Sequence, residues 1–313
     1  MYKNILDFEK PIVELEARIE ELRHRSARNG DDPSDEMRRL RKKLRQLQKN
    51  IYSHLSPWQR TQIARHSRRP YALDYISRLA DEFYELHGDR TFGDDPAILA
   101  GLARFQGEPI VVIGHQQGRN TRENIARNFG MPAPEGYRKA LRVMKLAEKF
   151  KMPILTLIDT PGAYPGLGAE ERGQGEAIAR NLYEMSCLKT VIVVVVLGEG
   201  GSGGALAIGV GDRILILENA VYSVISPESC SSILWRETSK AEEAASALKL
   251  TAQDLKTIGV VDRIIPEPVG GAHRNPEEAA ENLKQALVET FLELKTFPVE
   301  DLVAKRFERF RSV

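Results

Sequence analysis

The chain has 313 residues, 42% of them hydrophobic, and its 45 basic and 44 acidic side chains leave a net charge of +1. This length and apolar content predict a globular protein with a large core and exclude a disordered chain. Its two cysteines, Cys187 and Cys230, lack C-x-x-C spacing, so neither a disulfide framework nor a zinc site is supported, which fits a reducing cytoplasm.

The opening MYKNILDFEKPIVE has charges among its apolar residues and no signal-peptide core, and the longest apolar run, Val191–Leu197, is too short for a bilayer. A soluble intracellular protein without membrane contact is expected. Ile12, Leu15, Ile19 and Leu22, then Met37, Leu40, Leu44, Leu47 and Ile51, keep helical three-four spacing around the break Asn29-Gly30-Asp31-Asp32-Pro33. They predict a helical hairpin that packs on the main domain or another subunit. Residues 18–69 carry fifteen Lys/Arg against six Asp/Glu. Solvated helix faces explain this better than an acidic partner, with nucleic acid the less favoured ligand.

A further helix is expected over Tyr71–Gly88, then paired strands Ile98–Phe105 and Pro109–His115. After a loop with Arg119, Arg122 and Arg127 the chain alternates: helix Gly136–Phe150, strand Pro153–Ile158, helix Glu170–Met185, strand Val191–Leu197, helix Gly203–Val210, strand Arg213–Leu217. This predicts an α/β core with strands buried on both faces. The remainder is expected to be mostly helical, including Glu277–Leu294. The expected organisation is a helical extension over 1–70, a catalytic domain over 71–295 and a charged helical tail over 296–313.

Two glycine-rich turns carry the chemistry: Asp159-Thr160-Pro161-Gly162-Ala163, and Gly198-Glu199-Gly200-Gly201-Ser202-Gly203-Gly204. Each follows an apolar strand and opens a helix, whose first N–H groups lack intrahelical partners and meet the positive end of the dipole. They read as backbone that holds oxyanions. Gly198-x-Gly200-x-x-Gly203 also fits a dinucleotide fingerprint, with Glu218 near a ribose-binding position. Gly200-Gly201-Ser202-Gly203-Gly204 fits a nucleophile elbow, with Asp212, Asp254 or Asp262 and His273 as partners. A GTPase reading of Asp159-Thr160-Pro161-Gly162 fails for want of a G-x-x-x-x-G-K-[ST] loop. Arg119, Arg122, Arg127, Arg138 and Lys139 could attract phosphate or carboxylate, though each alone reads as a surface charge.

GRNTRENIARNFGMPAPEGYRKALRVMKLAEKFKMPI, LIDTPGAYPGLGAEERGQGEAIARNL, GEGGSGGALAIGVGDR and IIPEPVGGAHRNPE together resemble the carboxyltransferase alpha subunit of bacterial acetyl-CoA carboxylase. Gly175 and Ser229, where the family pattern suggests Ser and Gly, depart from it. The resemblance implies a crotonase-like spiral of ββα units carrying the N-terminal hairpin. It implies transfer of a carboxyl group from carboxybiotin, on a biotin carboxyl carrier protein, to acetyl-CoA, giving malonyl-CoA for fatty acid synthesis. Release of CO2 leaves a biotin anion that takes a proton from the acetyl methyl group, and the enolate attacks CO2. The family pattern places oxyanion donors on the Gly203 and Gly204 amides; beside them Gly162, Ala163 and Gly201 are expected to form a substrate-binding wall of the same pocket. It further implies an α2β2 assembly whose beta subunit binds most of the CoA and carries zinc, a separate ATP-using biotin carboxylase, and no metal or covalent cofactor on this chain.

Overall fold

The computed structural model describes residues 5–29 and 34–311. Helices α1 (Lys10–Asn29) and α2 (Ser34–Tyr52) lie side by side. Most of the expected Asn29–Pro33 break lies outside the described residues. Ile12 and Ile19 of the α1 seam are buried, whereas Met37, Leu40, Leu44 and Leu47 of α2 are only half-buried. Helix α3 (Pro57–Ala64) starts at a capping box in which the Ser56 hydroxyl accepts from the Gln59 backbone N–H and the Gln59 side-chain Oε1 accepts from the Ser56 N–H.

Helix α4 (Ala72–Leu79) leads into β1 (Glu82–Glu85), so the helix expected over Tyr71–Gly88 is half its length. After Leu79, Glu82-Phe83-Tyr84-Glu85 alternates between exposed and half-buried, the period of an edge strand, and pairs antiparallel with β2 (Ile98–Phe105). Strand β2 turns through Gln106-Gly107, both at positive φ, into β3 (Glu108–His115).

There follow α5 (Thr121–Ala126), α6 (Pro134–Phe150), β4 (Ile154–Thr160), α7 (Leu167–Glu171), α8 (Gln174–Cys187), β5 (Ile192–Gly201) and α9 (Ser202–Leu206). The helix expected over Glu170–Met185 is thus two, separated at Gly173, whose φ of +83° no regular helix accommodates. The remainder comprises β6 (Arg213–Leu217), β7 (Val221–Ser223), α10 (Pro227–Trp235), α11 (Ala241–Ala247), α12 (Ala252–Thr257), β8 (Arg263–Ile265), α13 (Pro276–Leu294) and α14 (Val299–Arg311). Strands β7 and β8, three residues each, offer too short a pattern to read from sequence.

The strands form one mixed sheet ordered β1-β2-β3-β4-β5-β6-β8, with β7 paired to β5 beyond its β6 contact. The first two pairings are antiparallel and the rest parallel. Strands β4 and β5 are central and buried on both faces, as the α/β expectation requires. Each fully buried Val, Ile or Leu contributes roughly 1.5–3 kcal/mol to holding the sheet between its helices.

Helix α14 docks on this body. The guanidinium of Arg306, wholly buried, donates Nε and Nη2 to Asp212 at 2.9 Å each and its remaining N–H groups to the carbonyls of Met185, Leu188 and Thr190. Asp212 in turn accepts the Ile192 N–H at 2.7 Å, so one buried ion pair ties α14 to the end of α8 and the start of β5.

Candidate functional site

Strand β5 runs further than its apolar run suggests, through Gly200 and Gly201, because its last residues pair with β4 and β7. A register shift between Ile158 and Thr160 sets Thr160 opposite Gly200 and brings the two glycine turns into contact. They touch backbone to backbone. A Cβ on Gly204 would lie 2.5 Å from the Ala163 nitrogen, and one on Gly201 would lie 3.0 Å from the Gly162 nitrogen and closer still to the Pro161 carbonyl. Glycine is required at 201 and 204 by this approach.

Helix α9 is a single turn. Ser202, at φ +47°, swings the chain from strand to helix, after which Gly203 is half-buried and Gly204 buried. As members of the first turn, the Gly203 and Gly204 amides have no intrahelical acceptor. In the facing turn the Thr160 hydroxyl donates to the Gly162 carbonyl at 2.8 Å and accepts its N–H at 3.1 Å. The Gly162 amide is therefore committed to its own turn, whereas the Ala163 amide has no acceptor among the described residues.

Buried polar groups fix the strand beneath. Arg69, paired with Glu267 at 2.6 Å, donates from Nε and Nη2 to the Leu197 carbonyl. Asp159 Oδ1 accepts the Glu199 N–H at 3.0 Å, and Arg65 bridges Glu199 and Glu228 at 2.6 Å each. Burial pushes the Asp159 carboxyl up to about 7, against the lowering pull of the Glu199 N–H and Arg69. Behind α9, Asn181 donates to the carbonyls of Tyr137 and Ala207. Sequence reading missed Arg69, Asn181 and Tyr137, which come from distant segments and bear no motif.

A largely apolar cavity of about 270 Å3 opens beside α9, lined among others by Ser202, Leu206, Tyr222, Val224 and Phe310. A larger depression, about 710 Å3, follows Arg38, Arg41, Lys42, Arg45 and Lys49 on α2. It is an exposed cationic helix face and no part of the glycine turns.

The alternative motifs do not assemble. Gly198 and Gly200 lie within β5 rather than in a phosphate-binding turn, and Glu218 accepts the Glu267 N–H. Ser202 has the strained backbone of an elbow, yet no histidine hydrogen-bonds to it among the described residues. His273 is buried against Glu9 at 3.5 Å and stacked on His66. Asp212 serves Arg306, the Asp254 carboxylate accepts the hydroxyl of Thr251, the cap of α12, and Asp262 holds Arg309 and the Ile214 N–H. Glu9, His66 and His273 offer three potential metal-ligating atoms within 4.8 Å. There the Arg274 Nε stands 3.5 Å from Glu9, which also accepts the Tyr52 hydroxyl, so donors already fill the role of a cation. Burial opposes ionisation of Glu9, but hydrogen bonds from His273 and Tyr52 outweigh it and hold the carboxyl at about 2.

Most of the expected anion-attracting cations are engaged within the chain. Arg119 pairs with Asp74 and lies over the Tyr71 ring, and Arg127 donates to the Pro96 carbonyl. Arg138 pairs with Asp89 at 2.8 Å, and the buried Lys139 with Asp94 at 2.6 Å. Arg122 is exposed. No helix among the described residues is long and apolar enough to cross a membrane.

Residues 5–313 match the family described as acetyl co-enzyme A carboxylase carboxyltransferase-like. The chain is 60% identical over 304 residues to the acetyl-coenzyme A carboxylase carboxyl transferase subunit alpha of Methylococcus capsulatus, covering 97% of this chain and 95% of that protein. It is likewise 60% identical over 312 residues to the subunit of the same name from Thiobacillus denitrificans, covering 100% and 97%. Among solved structures it resembles transcarboxylase 12S with methylmalonyl-coenzyme A bound, at a TM-score of 0.55 and 22% identity over 68% of this chain and 41% of that one. It also resembles a chain of the Pseudomonas malonate decarboxylase hetero-dimer, at a TM-score of 0.58 and 16% identity over 71% and 88%.

Proposed function

This chain belongs to the alpha-subunit family of acetyl-CoA carboxylase carboxyltransferases, and on that premise we propose that it works by holding negative charge on the Gly203 and Gly204 amides. The observation that carries this reading is the contact between the two turns. It leaves α9 presenting bare backbone donors, with glycine where any side chain would force the turns apart.

Carboxybiotin, presented by a biotin carboxyl carrier protein, supplies the carboxyl group that acetyl-CoA receives. An apolar cavity lined by Ser202 and Leu206 of α9, with Tyr222 and Val224, gives room of the kind its ring system needs. Gly203 and Gly204 would hold the ureido oxygen as it becomes anionic, a role in which removal of one donor costs about a hundred- to a thousandfold in rate. Gly162 and Ala163 form the wall opposite, and Gly201 gives the room in which the wall closes. The wall's open amide is that of Ala163. No side-chain nucleophile is needed, and the hydrogen-bonded surroundings of His273 agree with that.

In this reading the body over 71–295 is a crotonase-like spiral of ββα units, with 1–70 an extension and 296–313 a tail. The partner is a carboxyltransferase beta subunit in a cytoplasmic α2β2 assembly. That subunit would hold zinc and most of the CoA thioester, and a separate biotin carboxylase would use the ATP. The test is carboxyl exchange between malonyl-CoA and a free biotin analogue, using this chain alone, with a beta subunit, and with that subunit plus Gly204→Pro. Exchange that needs both chains and disappears with proline in an intact assembly is the expected result. No exchange in a verified complex would overturn the reading.

A further inference from the structure

The carbonyl of Gly204 has no backbone donor among the described residues. Within reach of the α9 ladder, the Ala207 N–H goes to Gly203, Ile208 to Ala205 and Gly209 to Leu206. A buried carbonyl without a partner costs free energy, so another donor is called for. The Tyr137 hydroxyl stands at 3.5 Å, the long end of a hydrogen bond.

A second unmet group lies nearby. His115, at the end of β3, is completely buried, and its Nδ1 accepts the Asp159 N–H at 3.3 Å. A neutral ring accepting at Nδ1 carries its proton on Nε2. That Nε2 has no partner at hydrogen-bond distance, yet the ring lies against the Gly204 backbone. Burial pushes the imidazole down to about 3, so the ring is neutral near pH 7.

We propose that His115 is a positioning residue for carboxyl transfer: its Nε2–H, with the Tyr137 hydroxyl, engages the Gly204 carbonyl and so fixes the direction of the Gly204 amide. The inference rests on reading that amide as an oxyanion donor. Glycine has the least conformational restraint of any residue, and here a contact at its carbonyl end would supply what a side chain cannot. The same histidine also joins the two turns, since its Nδ1 accepts the Asp159 N–H at the root of one while its ring lies against the Gly204 backbone of the other.

The experiment measures exchange kinetics of the α–β complex carrying His115→Met, His115→Gln, Tyr137→Phe or Gly204→Ala. His115→Met should lower kcat by roughly ten- to a hundredfold, the scale expected of a misplaced catalytic group, with KM for malonyl-CoA and the biotin analogue little changed. His115→Gln, which retains a donor, should recover most of kcat, and Tyr137→Phe should cost less than His115→Met. Wild-type kcat in His115→Met beside an inactive Gly204→Ala would sink the role of His115 alone. Activity in both, and in Gly204→Pro as well, would sink the oxyanion reading beneath it. Should His115→Met fail to assemble, 15N-histidine spectra of the full wild-type chain decide: a neutral Nε2–H tautomer is expected, and an Nδ1–H tautomer overturns the proposal.

Discussion

A methyl group on Gly204 would sit 2.5 Å from the amide nitrogen of Ala163, whereas one on Gly203 would meet nothing closer than Ile178 at 3.6 Å. Neighbouring glycines in one turn thus differ: position 204 excludes a side chain, whereas Gly203, with neither a positive φ nor a close neighbour, does not.

Gly204→Ala, which keeps the N–H, should therefore abolish exchange by about a hundredfold or more through displacement of the turns, while Gly203→Ala should stay within a few-fold of wild type. Steady-state exchange in the assembled complex checks this. Equal effects of the two substitutions would show that the packing of the turns does not govern the rate.

Ser202 occupies the left-handed region at φ +47°, a conformation costing an L-residue roughly 1–2 kcal/mol that glycine avoids. Ser202→Gly should raise the melting temperature, and Ser202→Ala should retain exchange within a few-fold. Covalent labelling of Ser202 by a serine-directed phosphonate, or a dead but assembled Ser202→Ala complex, would restore the hydrolase alternative.

Asp159 makes stability depend on pH in a stated direction. Burial raises its carboxyl from 3.8 to about 7, so in between the folded protein keeps a proton that the unfolded chain has released. Its contribution is complete below the unfolded value and is lost as pH rises through 7. Asp159→Asn still offers an oxygen to the Glu199 N–H and never ionises. Its melting temperature relative to wild type should climb between pH 5 and pH 9, and a constant difference would contradict the assignment.

Arg306→Met leaves the Asp212 carboxylate buried without its cation, a loss of about 3–5 kcal/mol for a pair of this kind. Denaturant unfolding should report that loss, and amide exchange should show α14 opening. Arg306→Met with Asp212→Asn should recover part of it, because the remaining side chain is neutral.

Long apolar runs were the legible part of this chain. Val191–Leu197 and Arg213–Leu217 announced buried parallel strands because no other element wants consecutive branched residues between turns. Both glycine turns follow their strands as expected, but only the second opens a helix directly; after the first the chain is irregular until α7 begins at Leu167. The contact between the turns was not legible, because it depends on a register shift at Ile158/Thr160 that has no local signature. Arg69, Asn181 and His115 were illegible as well: each reaches at least one backbone group more than forty residues away, and nothing in the flanking sequence distinguishes them from solvated polar residues. Helix α4 was overextended because Asp81–Glu85 continues the polar–apolar mixture of the helix while changing its period.

The hairpin node reaches the glycine turns through a continuous set of bonds. Glu9 holds His273 and Arg274, the preceding Ala272 N–H donates to Glu267 at 2.7 Å, Glu267 holds Arg69, and Arg69 holds the Leu197 carbonyl one residue before the second turn. Mechanically this is a tether, each bond passing a pull on to the next. A load that pulls α1 away from the body must either rupture a buried ion pair or drag on the strand that aims α9, so the hairpin is a handle by which a tugging neighbour could detune the oxyanion turn without touching it.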